Sequence, residues 1–169
     1  MKKSLLLLLL ATLLFVDANG QKPNLKREVD KITGAITIRS PYFGKGIAAT
    51  TPLPLGINKV IQADGLTEYY LRLLTYGSTI NIGASGVIVL FKDGSKIEYP
   101  NASIKVDATT GNIMSWQYSA FIPLNEQQVK LFSEKEVDMF RLYIYDGKPH
   151  YGSQAKKFMV NTQAILDAK

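Results

Sequence analysis

Beyond residue 31 the chain repeatedly sets apolar positions against polar ones with a period of two, the mark of strands buried on one face. Its clearest instance is Val87-Ile88-Val89-Leu90-Phe91, which runs into Lys92-Asp93-Gly94-Ser95 and returns as Lys96-Ile97-Glu98-Tyr99 before Pro100. Gly94 can take φ > 0 without a Cβ clash and Asp93 tolerates the left-handed region, so the pair suits a tight turn between twisted strands. On the return strand Ile97 and Tyr99 share one face and Lys96 and Glu98 the other. A hairpin with one apolar face needs more strands or a helix over it, and the rest of the pattern supplies both.

Ile32, Ile36 and Ile38 share a parity against Thr33, Thr37 and Arg39, predicting a first strand that ends at Ser40-Pro41. Residues 57–63 and 66–75 predict a pair around Asp64-Gly65, with Tyr69, Leu71 and Leu73 on one face and Tyr70, Arg72 and Leu74 on the other. Thr79–Ile82 reads as a short strand. Residues 103–107 and 113–122 predict a hairpin around Thr109-Thr110-Gly111-Asn112, whose second arm buries Met114, Trp116, Tyr118, Ala120 and Ile122 and shows Ser115, Gln117 and Ser119 to water. Val137–Tyr145 reads as one long strand, with Phe140, Leu142 and Ile144 on a common face and a turn at Asp146-Gly147. Tyr42–Gly56 holds too many prolines and glycines for a regular element and reads as a loop of about fifteen residues, a length that marks a candidate binding surface. Its plainer reading is an extended crossover anchored on the sheet edge by Tyr42-Phe43 and Leu53/Leu55.

Two segments switch to helical spacing. Asn125 can cap the Gln128 amide while the Gln128 side chain reaches back, with Leu124 and Val129 as an apolar staple. Ser153 is expected to cap a C-terminal helix carrying Ala155, Phe158, Met159, Thr162, Ile165 and Leu166 along one stripe, a lid over one sheet face. The fold class is therefore α+β, a mostly antiparallel sheet of about seven to nine strands with two helices.

The N-terminus adds a compartment. Met1-Lys2-Lys3 precedes an apolar run of about a dozen residues, short of the roughly 20 that span a bilayer, and Ala18-Asn19-Gly20 offers small residues before a cut at Gln21. Residues 1–20 read as a secretory signal peptide, 21–31 as a flexible polar leader, and 32–169 as one globular domain. The chain has no cysteine, so a lipidated N-terminal cysteine and every disulfide are excluded. Small extracellular eukaryotic domains usually lean on disulfides, which favours a bacterial protein exported to the periplasm or surface of a Gram-negative cell.

The formal charge is +6 over 169 residues. The excess is modest and spread, with its densest parts at Lys22–Lys31 and Lys156-Lys157, and neither a basic stripe nor a nucleic-acid module accompanies it. His150 is the single histidine, which speaks against a transition-metal site of the His/Cys kind. A Ser-His-Asp triad would have to use His150 with Asp146 and Ser153, loop neighbours without a nucleophile motif. Gly83-Ala84-Ser85-Gly86 matches neither the Gly-x-Ser-x-Gly elbow nor a phosphate loop and reads as a turn. The Asp-Gly pairs at 64, 93 and 146 lack calcium-loop spacing. Asn101-Ala102-Ser103 fits a glycosylation pattern, which in a bacterial chain reduces to a turn.

Tyr69-Tyr70-Leu71-Arg72-Leu73, Phe91-Lys92-Asp93-Gly94-Ser95-Lys96-Ile97, Ile122-Pro123-Leu124-Asn125-Glu126-Gln127 and Phe140-Arg141-Leu142-Tyr143 resemble segments of small uncharacterised exported proteins of Bacteroidota. The resemblance is one of general pattern over most of the mature chain. It implies the compartment and carries no catalytic, metal-ligating or cofactor-binding residue with it.

The expectation is a non-enzymatic envelope protein without cofactor that binds another protein or a glycan. Nine tyrosines, several on strands whose alternate face is also apolar, exceed what one core requires. The competing expectation is a carrier with an internal small-ligand pocket; a hydrolase using His150 is the remote one.

Overall fold

The computed structural model describes residues 23–46, 54–109, 115–150 and 152–169. The expected signal peptide lies outside the described residues, as do Leu53, Met114 and the turn at 110–112. The elements are β1 (Lys26–Val29), β2 (Ile36–Arg39), β3 (Gly44–Gly46), β4 (Leu55–Ile61), β5 (Thr67–Gly77), β6 (Ser85–Phe91), β7 (Lys96–Ala108), β8 (Trp116–Leu124), α1 (Glu126–Glu134), β9 (Val137–Leu142), β10 (Tyr145–Pro149) and α2 (Gly152–Asp167). The protein is thus α+β with one antiparallel sheet and two helices, in the strand order β1-β2-β4-β5-β8-β7-β6-β9-β10-β3.

The sheet curls into a half-barrel, because β7 serves two partners in turn. Its first part pairs with β6 as far as Ser103, and from Ile104 onward it pairs with β8. The changeover follows Pro100, which has no amide to give to a ladder, and faces a register shift between Ser85 and Val87 where Gly86 takes φ +90°. Pro100 therefore sits inside a long strand instead of closing the hairpin, and Asn101-Ala102-Ser103 is strand instead of turn.

The curl brings β10 against β5 and β3 against β4 and β5. The two ends of the sheet meet at Phe43, whose amide donates to the Leu55 carbonyl at 3.2 Å while its own carbonyl accepts from the His150 amide at 2.8 Å. The Thr75 hydroxyl adds a bond to the Asp146 carbonyl at 2.8 Å. Phe43 and Leu55 are both buried, but the stretch read as a loop over Tyr42–Gly56 is not free of regular structure: Gly44–Gly46 is β3, Leu55 and Gly56 open β4, and Tyr42 is exposed instead of anchoring.

The concave face holds the helices. Phe43, Phe158 and Phe132 meet edge to face at 5.9 and 6.0 Å, and Phe91 lies 5.5 Å from Phe132, so four rings join the closing strand, α2, α1 and β6. Leu55, Ile57, Leu71, Leu73, Tyr118, Val89 and Phe140 complete the core. Helix α1 starts as its sequence requires: Gln128 N donates to Asn125 Oδ1 at 2.8 Å and Asn125 N to Gln128 Oε1 at 3.0 Å. Helix α2 is closed by Lys59, whose ammonium donates to the Leu166 and Ala168 carbonyls at 3.3 and 2.6 Å.

Several local expectations change. Lys26–Val29, read as flexible leader, pairs with β2, while Ile32 stands almost fully exposed in the turn before it. Thr79–Ile82 is not a strand. The strand expected over Val137–Tyr145 breaks into β9 and β10 at Tyr143-Ile144, and Asp146-Gly147 lies within β10. Tyr143 takes φ 58° there, and Ile144 points to solvent instead of sharing the buried face of Phe140 and Leu142. Phe140 forces the shift: it packs over Gly147, where any Cβ would collide with its ring, so that glycine serves close approach. Ser153 falls inside the first turn of α2, not ahead of it.

Candidate functional site

The convex face of the sheet carries the feature that packing alone does not explain. Along β5, Leu71, Leu73 and Thr75 point to the core, and Tyr70, Arg72, Leu74 and Tyr76 point outward. Leu74 and Tyr76 form an apolar cluster separate from the main core. On the neighbouring β8, Phe121 shares the outward face, stacked on Tyr70 at 4.5 Å and 16°. Phe121 remains 55% exposed, so this pair keeps a free aromatic surface.

Arg72 sits between Gly56 on β4 and Phe121 on β8. Its side chain crosses β4 over Gly56, and Nη2 donates to the Ser40 carbonyl at 3.0 Å. A Cβ on Gly56 would stand 2.8 Å from Ser40 Oγ and 3.0 Å from Arg72 Nη2. The glycine is what lets the guanidinium lie flat across the strand. Tyr42 reaches the same place from the closing segment: neighbours in an extended chain point to opposite sides, so Phe43 goes into the core and Tyr42 out over Arg72, with 4.9 Å between the guanidinium and the ring centroid.

Among the described residues the charge of Arg72 has no acidic counterpart: no carboxylate forms an ion pair with it, and Asp17 is the only acidic residue of the sequence outside that set. Burial pulls its pKa below the ordinary value; the charge interaction and hydrogen bond with the Tyr42 side chain oppose that, and nearby Arg39 adds to it more weakly. Among the described residues the buried Nε of Arg72 has no hydrogen-bond partner. Removing a guanidinium from water costs several kcal/mol unless an anion or a full set of acceptors meets it. One carbonyl and the ring and hydroxyl of Tyr42 meet that cost only in part.

Two open clefts share Tyr42 and Arg72. One, of about 430 Å³, is also lined by Leu74, Ser103, Lys105, Ser119 and Phe121. The other, of about 450 Å³, is lined by Asn24, Leu25, Lys26, Arg39, Ser40 and Pro41 beside the shared pair. In the second cleft Lys26 and Arg39 both pair with Glu28, at 2.7 and 3.0 Å.

The residues considered for catalysis are not brought to one place. Arg141 grips the Asp146 carboxylate through Nε at 2.6 Å and Nη2 at 2.9 Å, and both line a small cleft with Ile88 and Met139. His150 lines a different one with Lys92, Asp138 and Lys148. Among the described residues no group of three or more His, Cys, Asp or Glu comes together to hold a metal ion, and no helix is long and apolar enough to cross a membrane.

Part of the site is signalled by sequence. The stretch read as the 42–56 loop supplies Tyr42, and the alternation of its strand puts Arg72 on the outward face. Phe121 was missed: it follows Gln117 and Ser119 on the polar parity of its strand, and an aromatic breaking that parity was the available signal. Residues 47–53 of the loop lie outside the described set. Compared with protein-family models, curated proteins and solved structures, the chain matches none.

Proposed function

We propose that the chain is a non-enzymatic exported envelope protein that binds a cell-envelope glycan or protein through the convex face of its half-barrel. The single observation that carries this reading is Arg72, a half-buried cation with no carboxylate beside it among the described residues, lying against the Tyr42 ring at the junction of two open clefts. Fixed aromatics and arginine are the residue types that concentrate binding energy at recognition surfaces. The clefts lie within the size range of small-ligand sites. The concave side, filled by four phenylalanine rings and both helices, offers the carrier reading less support than the convex clefts offer this one.

The test expresses the full chain in a Bacteroidota host. Its fractions are assayed for protein cut before Gln21, and the purified mature form is incubated with isolated envelope from the same cells. The expected result is export, and retention that falls when Arg72 and Phe121 are replaced by Met and Ser. Cytoplasmic accumulation of the uncut chain, or retention indifferent to both substitutions, overturns the reading.

A further inference from the structure

We infer that the ligand of this face is an acidic saccharide, whose carboxylate enters the cleft of Lys26, Arg39 and Arg72 while a neighbouring sugar ring lies against Phe121. This rests on the convex-face reading above and names its ligand class. Three cations line the cleft beside β1 and β2, and one carboxylate, Glu28, is shared by two of them, which leaves these four side chains a net charge of two positive and Arg72 without a carboxylate among the described residues. Guanidinium groups offer the planar, forked donors that carboxylates accept most strongly. The backbone fixes the site, since Lys26 and Arg39 are direct cross-strand partners on β1 and β2 and Arg72 is seated over Gly56.

The adjoining cleft selects for a sugar over a peptide. It joins the exposed Phe121 ring, suited to the apolar C–H face of a pyranose, to the hydroxyls of Ser103 and Ser119 and the ammonium of Lys105, which suit ring hydroxyls. Tyr42 and Arg72 border both clefts, so one disaccharide can touch both without a change in the sheet.

The experiment is calorimetric titration of the exported mature protein with trigalacturonate, with neutral galactotriose and with hexaglutamate. Trigalacturonate is expected to bind at least roughly 10-fold more tightly than either of the others, the scale of one hydrogen bond to a charged group. Its affinity is expected to fall as salt rises and to drop roughly 10-fold or more in Arg39→Gln. Lys130→Gln, a change of equal charge on α1, leaves it unchanged. Equal affinity for the acidic and neutral trisaccharides overturns the inference and leaves the convex-face reading standing. Preference for hexaglutamate overturns it in favour of an acidic protein segment. Binding of none of the three overturns it as well, and envelope retention of the same preparation then shows whether the broader reading survives. The salt dependence of the unaltered protein decides the matter should Arg39→Gln fail to fold.

Discussion

The Arg72 guanidinium sits 4.9 Å from the centroid of the Tyr42 ring, so among the described residues an aromatic side chain, not a carboxylate, meets the charge of this half-buried cation on the convex surface. An arginine kept for stability would be expected to have an anion beside it. One kept for a ligand has its anion supplied from outside, and the free protein carries the cost.

That distinction can be measured. Arg72→Met removes an incompletely satisfied guanidinium and keeps an apolar stem against Tyr42. Thermal melting is expected to show stability unchanged or raised, because replacing buried charge with apolar volume is often neutral or favourable, while envelope binding is lost. A fall of several kcal/mol would assign Arg72 to the fold instead.

Gly56→Ala tests the seat of that arginine. The added methyl would stand 2.8 Å from Ser40 Oγ, which must shift, and 3.1 Å from the Pro41 carbonyl, which must give by a few tenths of an ångström. The expected cost is about 1–3 kcal/mol by chemical denaturation, the usual scale of overpacking. Binding is expected to weaken more than in a variant of equal stability altered elsewhere in the core.

Phe43→Ala tests the closure of the sheet. The ring is buried against Phe158 at 5.9 Å, and the same residue ties β4 to the end of β10. A loss of about 3–5 kcal/mol is expected for the side chain alone. Hydrogen exchange is expected to accelerate first at the amides of Phe43 and His150, where the two ends meet. Uniform acceleration across all strands would show that the tie is not a separable unit.

Tyr99 gives a pH dependence of known sign. Burial pushes its phenol up to about 12, and its hydroxyl has no hydrogen-bond partner. Above pH 10 the unfolded chain releases this proton and the folded one keeps it, so stability falls as pH rises from about 10 to about 12. Tyr99→Phe is expected to flatten that fall in alkaline melts and to leave stability at neutral pH equal or higher. An unchanged alkaline profile would show that the hydroxyl reaches solvent in the folded protein.

What the sequence determined by itself was local. The Asp93-Gly94 turn, the Asp64-Gly65 turn and the Asn125–Gln128 cap each depend on groups within a few residues of one another, and each is present where its residues place it. So is the alternation that sends Leu71 inward and Arg72 outward, because side-chain direction in a strand is set by the backbone. The tertiary structure decided the rest, and the reason is reach. Pro100 looks like a terminator until β7 is seen changing partners beyond it. Val137–Tyr145 looks like one strand until Phe140 claims the space over Gly147 and moves the turn to Tyr143-Ile144. Lys26–Val29 has no apolar period to announce it, and becomes a strand where β2 offers an edge and Arg39 a diagonal ion-pair partner for Glu28. Tyr42, Gly56, Arg72 and Phe121 lie on four separate segments: the pairing of β4, β5 and β8 sets Gly56, Arg72 and Phe121 side by side, and the segment closed at Phe43 carries Tyr42 over Arg72.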